Sequence, residues 1–575
     1  MLICISSPKK HTADSTFNSE HMKSLLCNSF HRVRSLVDTP LFKLWVFSVF
    51  IKLFLVYGYR STDFEVHRNW LSITYQLPLK QWYYDTTNIW TLDYPPLFAY
   101  FEYILSHITP KPVINDHCLD LMAENVSSEI YGSLTVFWQR ITVILSEFGL
   151  YLSLRSYSLT DKTSLLVCSS ILLNPGFFIL DHIHFQYNGF LFGLFISSII
   201  AVKEEKYLKS AFMFSVSLCF KHIYLYLAPC YFVFLLRAYC LNFEHFEFKT
   251  YLSLIKIIQW KNLIKLAAVV LSTFFAAFLP FIYIGYGIDD FKQILSRLFP
   301  FSRGLTHAYW APNLWAIYST LDKFLTILVL YLNKVKYIGA VRQIVDISQL
   351  IEQIKLNENE NNGSKGLVSD VTFNILPQIP PKITFALTLF YQLLAVLPLF
   401  FNCNFNRFIG SLTLCGFSSY LFGWHVHEKA IMLIIIPFTF LVVLDRRLLT
   451  PYMLLSSSGI VSLFPLLFTS QDFMIKILYS LIWMILYFVS ISEVSEMNYF
   501  GQDRRVWFFD RLAMIYIVCL LPIIIISGIL DVFKFGNGHY EFLSLMLYSC
   551  YCSVGVFTSW IGLSWLYNFD EPLWL

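Results

Sequence analysis

Residues 61–70 (STDFEVHRNW) place carboxylates beside an imidazole and a guanidinium, just after the first apolar run of the chain. If this stretch is helical, Asp63 and His67 share a face, because residues i and i+4 are neighbours on a helix. A carboxylate at the edge of a bilayer is partly desolvated, which raises its proton affinity and suits it to general-base chemistry. Asp63 is therefore a candidate base, and Arg68 is a candidate for binding substrate. The alternative is a charged loop that only closes the first membrane helix.

Aromatic side chains alternate with carboxylates over residues 82–96, which include the LDYPP sequence at residues 92–96. A sugar site needs this combination, because C–H faces of the sugar stack on aromatic rings while its hydroxyls bond to carboxylates. Trp82 and Asp93 are the candidates for such contacts. A belt of aromatic residues at a membrane interface has a similar composition, so that interpretation stays open.

Arg303 lies in a polar stretch at residues 299–310 (FPFSRGLTHAYW). Its guanidinium presents a fork of donors that matches phosphate oxygens, and the following Gly304 lets the backbone approach a ligand closely. The alternative is a solvated arginine in a loop.

Residues 423–429 (GWHVHEK) concentrate imidazole, carboxyl and ammonium groups between two apolar runs. His425 and His427 are two positions apart, which is not the helical spacing of zinc metalloproteases, and no third ligand has a comparable claim. Anion binding by His427 and Lys429 is therefore the better interpretation. The polar side chains of residues 181–188 (DHIHFQYN) either line the same cavity or cap helices.

The elements that hold these stretches are predicted to be membrane helices. Apolar residues make up 56% of the chain and charged residues 14%, whereas about a quarter of a soluble domain is charged. Apolar runs of roughly 17–25 residues recur along most of the length, which predicts an all-α polytopic membrane protein with about fourteen transmembrane helices. The net charge of +4 is spread over loops and does not indicate a nucleic-acid partner, and the twelve cysteines show no paired spacing.

Lysines and arginines predict the orientation, since positively charged connections stay in the cytosol. Residues 1–40 form a cytosolic extension without a predicted signal peptide, and residues 41–575 form the polytopic domain. The rule assigns residues 59–135 and 287–382 to long lumenal loops and the C-terminus to the cytosol. Residues 312–332 are apolar enough to cross, but a crossing would carry later arginines into the lumen, so we predict a re-entrant or interfacial segment. The polar stretches described above then face the lumen.

The chain resembles the dolichyl-phosphate-glucose-dependent glucosyltransferases of the endoplasmic reticulum. The motifs that carry the resemblance occur in order over most of the chain, at residues 61–70, 77–84 (LPLKQWYY), 90–100 (WTLDYPPLFAY), 299–304 and 423–429. Their details are similar to the branch of the family that adds the second glucose. The branch that adds the first glucose is the alternative.

The resemblance implies a C-type glycosyltransferase fold in the endoplasmic reticulum membrane, with a lumenal active site. It implies dolichyl phosphate glucose as donor and a monoglucosylated, dolichyl-diphosphate-linked oligosaccharide as acceptor. The implied product is an alpha-1,3 bond formed with inversion, because the donor is beta-linked. A single displacement of this kind needs a base on the acceptor hydroxyl and a stabilised phosphate leaving group.

The resemblance also implies roles for residues of this chain. Asp63 corresponds to the family's base, and a histidine and an arginine hold the phosphate. The residues expected to bind substrate are His427, Arg303, Lys429, Asp93, Trp82 and Arg68. Because the donor is a lipid monophosphate, we predict no metal and no other cofactor.

A lipid or solute transporter is the alternative from another functional class. A transporter predicts ionisable groups at mid-membrane and paired broken helices in two halves of the chain. Here the ionisable groups gather at one face, and the sequence has no evident half-repeat. An inactive scaffold would leave Asp63, Asp93, Arg303 and His427 without a shared purpose.

Overall fold

The computed structural model describes residues 37–122, 130–243, 256–299, 304–306, 311–334, 373–467, 469–495, 504–533 and 543–574. Within these ranges the secondary structure is helical, and no β-strand forms beyond two isolated bridges, Leu241 with Ile258 and Thr306 with Val426. The predicted class, an all-α polytopic membrane protein, is confirmed at this level.

The main helices of the described ranges are, in chain order, α1 (Pro40–Leu53), α2 (Thr62–Gln76), α3 (Pro96–His107), α4 (Ser133–Ser146), α5 (Phe148–Ser158), α6 (Lys162–Leu172), α7 (Asn188–Lys203), α8 (Tyr207–Phe220), α9 (Ala228–Leu235), α10 (Trp260–Ile284), α11 (Ile288–Leu298), α12 (Leu314–Lys334), α13 (Pro381–Phe401), α14 (Phe405–Phe422), α15 (Met432–Thr439), α16 (Arg446–Val461), α17 (Ser470–Val494), α18 (Arg504–Val518), α19 (Leu520–Phe533) and α20 (Leu543–Phe569).

Nine helical stretches in the described part of the chain are long and apolar enough to cross a membrane. They are Lys162–Ile183, His222–Cys240, Trp260–Ile284, Leu314–Tyr331, Pro381–Phe401, Arg446–Leu466, Asp472–Val494, Asp510–Asp531 and Leu543–Phe569. The shorter apolar helices α7 and α8 pack against each other. The count of about fourteen spans and the C-type arrangement stay predictions.

Helices α2 and α3 form the part of the fold that carries the candidate base. Ser61 is extended at the N-cap of α2, and Asp63 lies in the first turn, where the helix dipole favours negative charge. Helix α2 ends before Leu77, whose neighbour Pro78 disfavours a helical conformation at the residue before it. Helix α3 has Pro96 at its first position, where a proline is tolerated, and packs along α2.

The segment predicted to be re-entrant corresponds to the continuous helix α12. Asp322, in the middle of α12, accepts hydrogen bonds from the backbone N–H groups of Asn374, Ile375 and Leu376 at 3.0, 2.9 and 2.8 Å. Irregular backbone is not tolerated beside lipid tails, so this part of α12 lies at an interface or is shielded by protein. The contact supports the interfacial interpretation, which stays a prediction.

The apolar stretch at residues 136–153 is divided into α4 and α5, and Glu147 stands between them. The Glu147 carboxylate forms an ion pair with Lys52 of α1, and both side chains are buried. His182 Nε2 lies 3.5 Å from the same carboxylate oxygen. Charge in this environment is tolerated because it is paired, so the cluster fixes α1 against the junction of α4 and α5.

Candidate active site

Asp63 lies where three separate segments of the chain meet. Its Oδ2 atom accepts a hydrogen bond from Lys429 Nζ and another from Gln186 Nε2, each at 2.6 Å. His184 Nδ1 lies 3.9 Å from the same oxygen. The structure therefore brings together two of the predicted site residues, Asp63 and Lys429, and adds two residues from the 181–188 stretch.

The two oxygens of Asp63 have different environments. All the contacts above are made by Oδ2, whereas Oδ1 accepts no hydrogen bond from the residues that the structure describes. The side chain keeps 20% of its surface exposed, so the carboxylate is fixed in position but still accessible to a substrate. This division leaves Oδ1 able to accept a proton from an incoming hydroxyl group.

The charge on Asp63 is fixed by its surroundings. Burial favours the neutral carboxyl, but the Lys429 ammonium outweighs it and holds the pKa of Asp63 well below its ordinary value. Burial also lowers the pKa of His184 to about 4, so its imidazole is neutral at neutral pH. Lys429 is consequently the cation that keeps Asp63 ionised.

The turn that carries His184 and Gln186 follows a π-helical turn at Phe178–Ile183. Phe185 has a φ of 84°, a left-handed conformation that costs a side-chain-bearing residue about 1–3 kcal/mol. Its ring is fully buried and meets the Phe64 ring edge-on at 5.0 Å between centroids. The Ser61 hydroxyl donates to the His184 carbonyl, so the N-cap residue of α2 also ties the turn to Asp63.

A second polar side chain, Asn188, stands behind Gln186. Asn188 Nδ2 donates to Gln186 Oε1 at 2.7 Å and to Asp181 Oδ1 at 3.0 Å. Asn188 Oδ1 accepts from Lys221 Nζ at 3.0 Å. Burial, followed by repulsion from Lys429, lowers the pKa of Lys221 to about 8. The polar network therefore runs from Lys221 through two amides to Asp63.

The 423–429 segment meets the part of the second long loop that contains Gly304. His425 has a φ of 51°, and its Nδ1 lies 2.8 Å from the Gly304 carbonyl oxygen. The His425 N–H donates to the Leu305 carbonyl at 3.0 Å. The histidine-containing segment therefore contacts Gly304, the residue predicted to let the backbone approach a ligand closely.

His427 and Glu428 lie next to Lys429 at the start of a helical turn, Glu428–Ile431. The rings of His425 and His427 are 5.8 Å apart and nearly perpendicular. Burial raises the pKa of Glu428 to about 7. Arg303, the other predicted phosphate ligand, lies outside the described residues, and the anion-binding roles of both residues stay predictions.

Arg68 is turned toward the first long loop. The side chain is buried, and its Nη1 donates to the carbonyls of Cys118 and Asp120 at 3.3 and 3.0 Å. Its Nε donates to Glu65 at 3.3 Å. These contacts use its donors to hold the loop on α2. Arg68 therefore has a structural role in the described residues, and its predicted substrate-binding role stays a prediction.

Trp82 also shapes the first loop. Its indole is 3% exposed, donates to the Leu77 carbonyl at 3.0 Å and packs against Tyr103 and Phe281. His67, which the helical spacing pairs with Asp63, bonds instead to Glu102 at 2.8 Å. These contacts show that Trp82 shapes the first loop, and its predicted contact with substrate stays a prediction.

Asp93 belongs to the electrostatic surroundings of the site. Its charge acts on Lys221, as do the charges of Asp63, Asp181 and Lys429. These groups therefore face a common region, which brings the LDYPP motif to the candidate base. Contact of Asp93 with a sugar stays a prediction.

Lys221 is the site residue that sequence reasoning missed. It lies between the apolar runs at 208–220 and 223–239, in a connection that the charge rule assigns to the lumen. A lysine on that side runs against the rule, and this exception was the signal available in the sequence.

The described residues contain no group of three or more His, Cys, Asp or Glu side chains arranged to hold a metal ion. The prediction of metal-independent chemistry is not tested by this observation. The groups that are present can do two things: accept a proton at Asp63, and neutralise an anion with Lys429 and Lys221.

Comparison with known proteins gives a match over most of the chain. The model of the ALG6, ALG8 glycosyltransferase family matches residues 48–563. A protein of Kluyveromyces lactis is 56% identical over 545 residues, which cover 93% of this chain and 95% of that protein. A protein of Saccharomyces cerevisiae is 55% identical over 547 residues, which cover 93% of this chain and 92% of that protein. Both are named dolichyl pyrophosphate Glc1Man9GlcNAc2 alpha-1,3-glucosyltransferase.

Proposed function

Because the chain belongs to the ALG6, ALG8 glycosyltransferase family, we propose that it is the alpha-1,3-glucosyltransferase that adds the second glucose to the lipid-linked oligosaccharide Glc1Man9GlcNAc2. The names of its relatives decide between the two branches that the motifs left open, and they favour the second-glucose enzyme. The proposed donor is dolichyl phosphate glucose, and the proposed acceptor carries one glucose on a dolichyl diphosphate.

The observation that supports the mechanism is that the two oxygens of the Asp63 carboxylate have different hydrogen-bond partners. Lys429 and Gln186 occupy Oδ2, and Oδ1 accepts no hydrogen bond from the described residues. A general base needs both a fixed position and an accessible lone pair. Asp63 has both, which supports its assignment as the catalytic base.

The reaction is a single inverting displacement. The acceptor hydroxyl oxygen attacks the anomeric carbon of glucose while its proton passes to Asp63 Oδ1. The bond between the anomeric carbon and the phosphate oxygen breaks, and its electron pair stays on the oxygen of the departing dolichyl phosphate. The beta-linked donor thereby gives an alpha-linked product without a covalent intermediate on the enzyme.

Lys429 has a different partner before and during the reaction. In the free protein its ammonium pairs with Asp63 and lowers the basicity of the carboxylate. A donor phosphate competes for this ammonium. When the ammonium leaves Asp63 for the phosphate, the proton affinity of the carboxylate rises again. Donor binding therefore prepares the base and supplies a cation to the leaving group in one step.

Cationic donors stabilise the departing phosphate, since charge-assisted bonds strengthen where water is excluded. His427 and Arg303 are the further phosphate ligands in this proposal, with Lys429 as the third. Asp93 is assigned to the hydroxyl groups of a sugar. The proposal needs no metal, because Lys429, His427 and Arg303 are assigned to neutralise the negative charge that the phosphate gains as it departs.

The proposed location is the endoplasmic reticulum membrane, with a lumenal active site, cytosolic termini and a C-type fold. The contact between Asp63 and Lys429 supports this topology, because the charge rule assigns both residues to lumenal connections independently.

The decisive experiment is glucose transfer by the purified protein. It is given synthetic dolichyl phosphate glucose with an acceptor that carries either one glucose or none, in the presence of a chelator. We expect mass analysis to show one added hexose on the monoglucosylated acceptor, and linkage analysis to show an alpha-1,3 bond. Transfer only to the unglucosylated acceptor would support the first-glucose reaction, and transfer to neither would refute the proposal.

A further inference from the structure

A chain of polar side chains leads away from the Asp63 carboxylate into the protein. Gln186 Nε2 donates to Asp63 Oδ2, Asn188 Nδ2 donates to Gln186 Oε1, and Lys221 Nζ donates to Asn188 Oδ1. Gln186 and Asn188 are 7% and 5% exposed, so solvent does not compete for these bonds. Buried polar groups in such a chain fix one another's orientation.

The direction of this chain is set by Lys221. An ammonium group only donates hydrogen bonds, so the oxygen of Asn188 has to face it. The amide nitrogen of Asn188 then faces Gln186, whose oxygen accepts, and the Gln186 nitrogen is left to face Asp63. The carboxylate of Asp181 strengthens this orientation, because it accepts from the same Asn188 nitrogen at 3.0 Å.

Helix capping does not account for Gln186. Asp181 caps the start of α7, since its oxygens accept the backbone N–H groups of Asn188 and Gly189 at 3.1 and 2.6 Å. The Gln186 side chain takes no part in this cap, and its amide nitrogen goes to the candidate base.

We propose that Gln186, oriented by Asn188 and Lys221, is the positioning residue that holds Oδ2 of Asp63 and presents Oδ1 to the acceptor hydroxyl. This inference rests on the proposed function and extends it. Its contribution is greatest when Lys429 has turned to the donor phosphate, because Gln186 is then the remaining hydrogen-bond donor on Oδ2 among the described residues. A neutral donor suits this task, since it restrains the carboxylate without adding a positive charge that would weaken the base.

Replacement of the amide tests the proposal. In Gln186→Leu only Lys429 still restrains Oδ2, and that restraint is lost when the donor phosphate takes the ammonium, so we expect kcat to fall on the order of 10²-fold, with the donor KM little changed. Gln392→Leu is the matched control: Gln392 is 5% exposed in α13 and donates to the Tyr226 carbonyl at 2.8 Å, away from Asp63. The control should retain wild-type kcat at an equal amount of folded protein.

A second variant tests, through the pH profile, whether the side chain at position 186 lies against the catalytic carboxylate in the working enzyme. Gln186→Glu keeps the size of the side chain but places a second carboxyl group against Asp63, which raises the pKa of Asp63. The acid limb of the pH profile of kcat/KM should therefore move to higher pH than in the wild type. Among the described residues, the titratable groups that act electrostatically on Asp63, or on which it acts, include Lys429, His184, His67, Lys221, Glu428, Tyr59 and Tyr94.

The outcomes separate this inference from the proposed function. If wild-type protein transfers glucose but Gln186→Leu keeps its kcat, or if the acid limb of Gln186→Glu does not move, Gln186 does not position the base. If Gln186→Leu changes only the donor KM, Gln186 binds substrate instead. If the wild type transfers no glucose, the proposed function itself fails.

Discussion

Lys429 Nζ lies 2.6 Å from Asp63 Oδ2, although 366 positions separate the two residues in the chain. The pair joins the first turn of α2 to the segment that follows α14. Neither side chain is fully exposed, at 15% for Lys429 and 20% for Asp63, so solvent screens the interaction only in part. The ion pair therefore couples the base to a cation that the anionic donor substrate can bind in its place.

Replacement of Asp63 by asparagine should remove most of the activity. The amide has nearly the same shape but does not accept a proton at neutral pH, so we expect kcat to fall about 10²–10⁴-fold. The measurement is the rate of transfer from dolichyl phosphate glucose to the monoglucosylated acceptor. Asp289→Asn is the matched control, because Asp289 is 73% exposed on α11. An Asp63→Asn enzyme at the wild-type rate would exclude Asp63 as the base.

Lys429→Met should change both donor affinity and pH dependence. The donor phosphate loses a cation, which raises the donor KM. Lys429 holds the pKa of Asp63 below its ordinary value, so its removal raises that pKa, and a larger fraction of Asp63 is protonated as the pH falls.

The acid limb of the kcat/KM profile of Lys429→Met should therefore lie at higher pH than that of the wild type. Lys292→Met removes an exposed lysine whose partner is Asp289, and it should change neither quantity. A profile for Lys429→Met that superimposes on the wild type would mean that the ion pair does not control the base.

The membrane helices were predictable because their cause is local. A chain in lipid has to satisfy its backbone polar groups internally, so a long apolar run becomes a helix whatever its neighbours are. Helices α10 and α13 accordingly coincide with apolar runs of the sequence. Helix α2 was only a condition of the argument for Asp63, and in the structure Asp63 lies in its first turn, where the helix dipole favours negative charge.

The partners within the site were less predictable. Residue types identify Asp63 as a base and Lys429 as a cation, but which cation meets which oxygen depends on how distant helices pack. The helical spacing pairs His67 with Asp63, whereas in the folded chain His67 bonds to Glu102 and Lys429 bonds to Asp63. The role of Lys221 depends on a bond to Asn188, and periodicity carries no information about such a contact.

The ion pair between Lys52 and Glu147 should matter for stability and not for chemistry. Lys52→Met leaves the Glu147 carboxylate, 1% exposed, without its ammonium partner, which should cost about 3–5 kcal/mol. Replacement of both residues by Met should recover most of the loss, since a buried pair is often replaceable by apolar side chains. Thermal unfolding in detergent measures both effects.

The control for this pair is Lys206→Met, which breaks an exposed contact with Glu204 and should shift the unfolding temperature little. A double variant no more stable than Lys52→Met alone would show that the pair is not the source of the loss.

Trp574 should contribute strongly to the stability of the fold. In the predicted topology it lies on the opposite side of the membrane from Asp63. The side chain is fully buried in the turn Glu571–Trp574 after α20, and its indole N–H donates to the Leu566 carbonyl at 2.9 Å. Its own carbonyl accepts from Asn404 Nδ2 at 2.7 Å, and the Arg407 guanidinium lies over its ring at 5.7 Å. These contacts tie the segment after α20 to the start of α14.

Trp574→Ala removes the ring from this packed position, and we expect a loss of about 3–5 kcal/mol, because a large cavity replaces a buried aromatic side chain. Trp565→Ala is the matched control, since Trp565 lies on α20 with 64% of its surface exposed. The lower unfolding temperature of Trp574→Ala should be accompanied by a nearly unchanged kcat per folded molecule, because the contacts of Trp574 do not include Asp63, Lys429 or Gln186. Equal unfolding temperatures for the two alanine variants would mean that the segment after α20 does not stabilise the helix bundle.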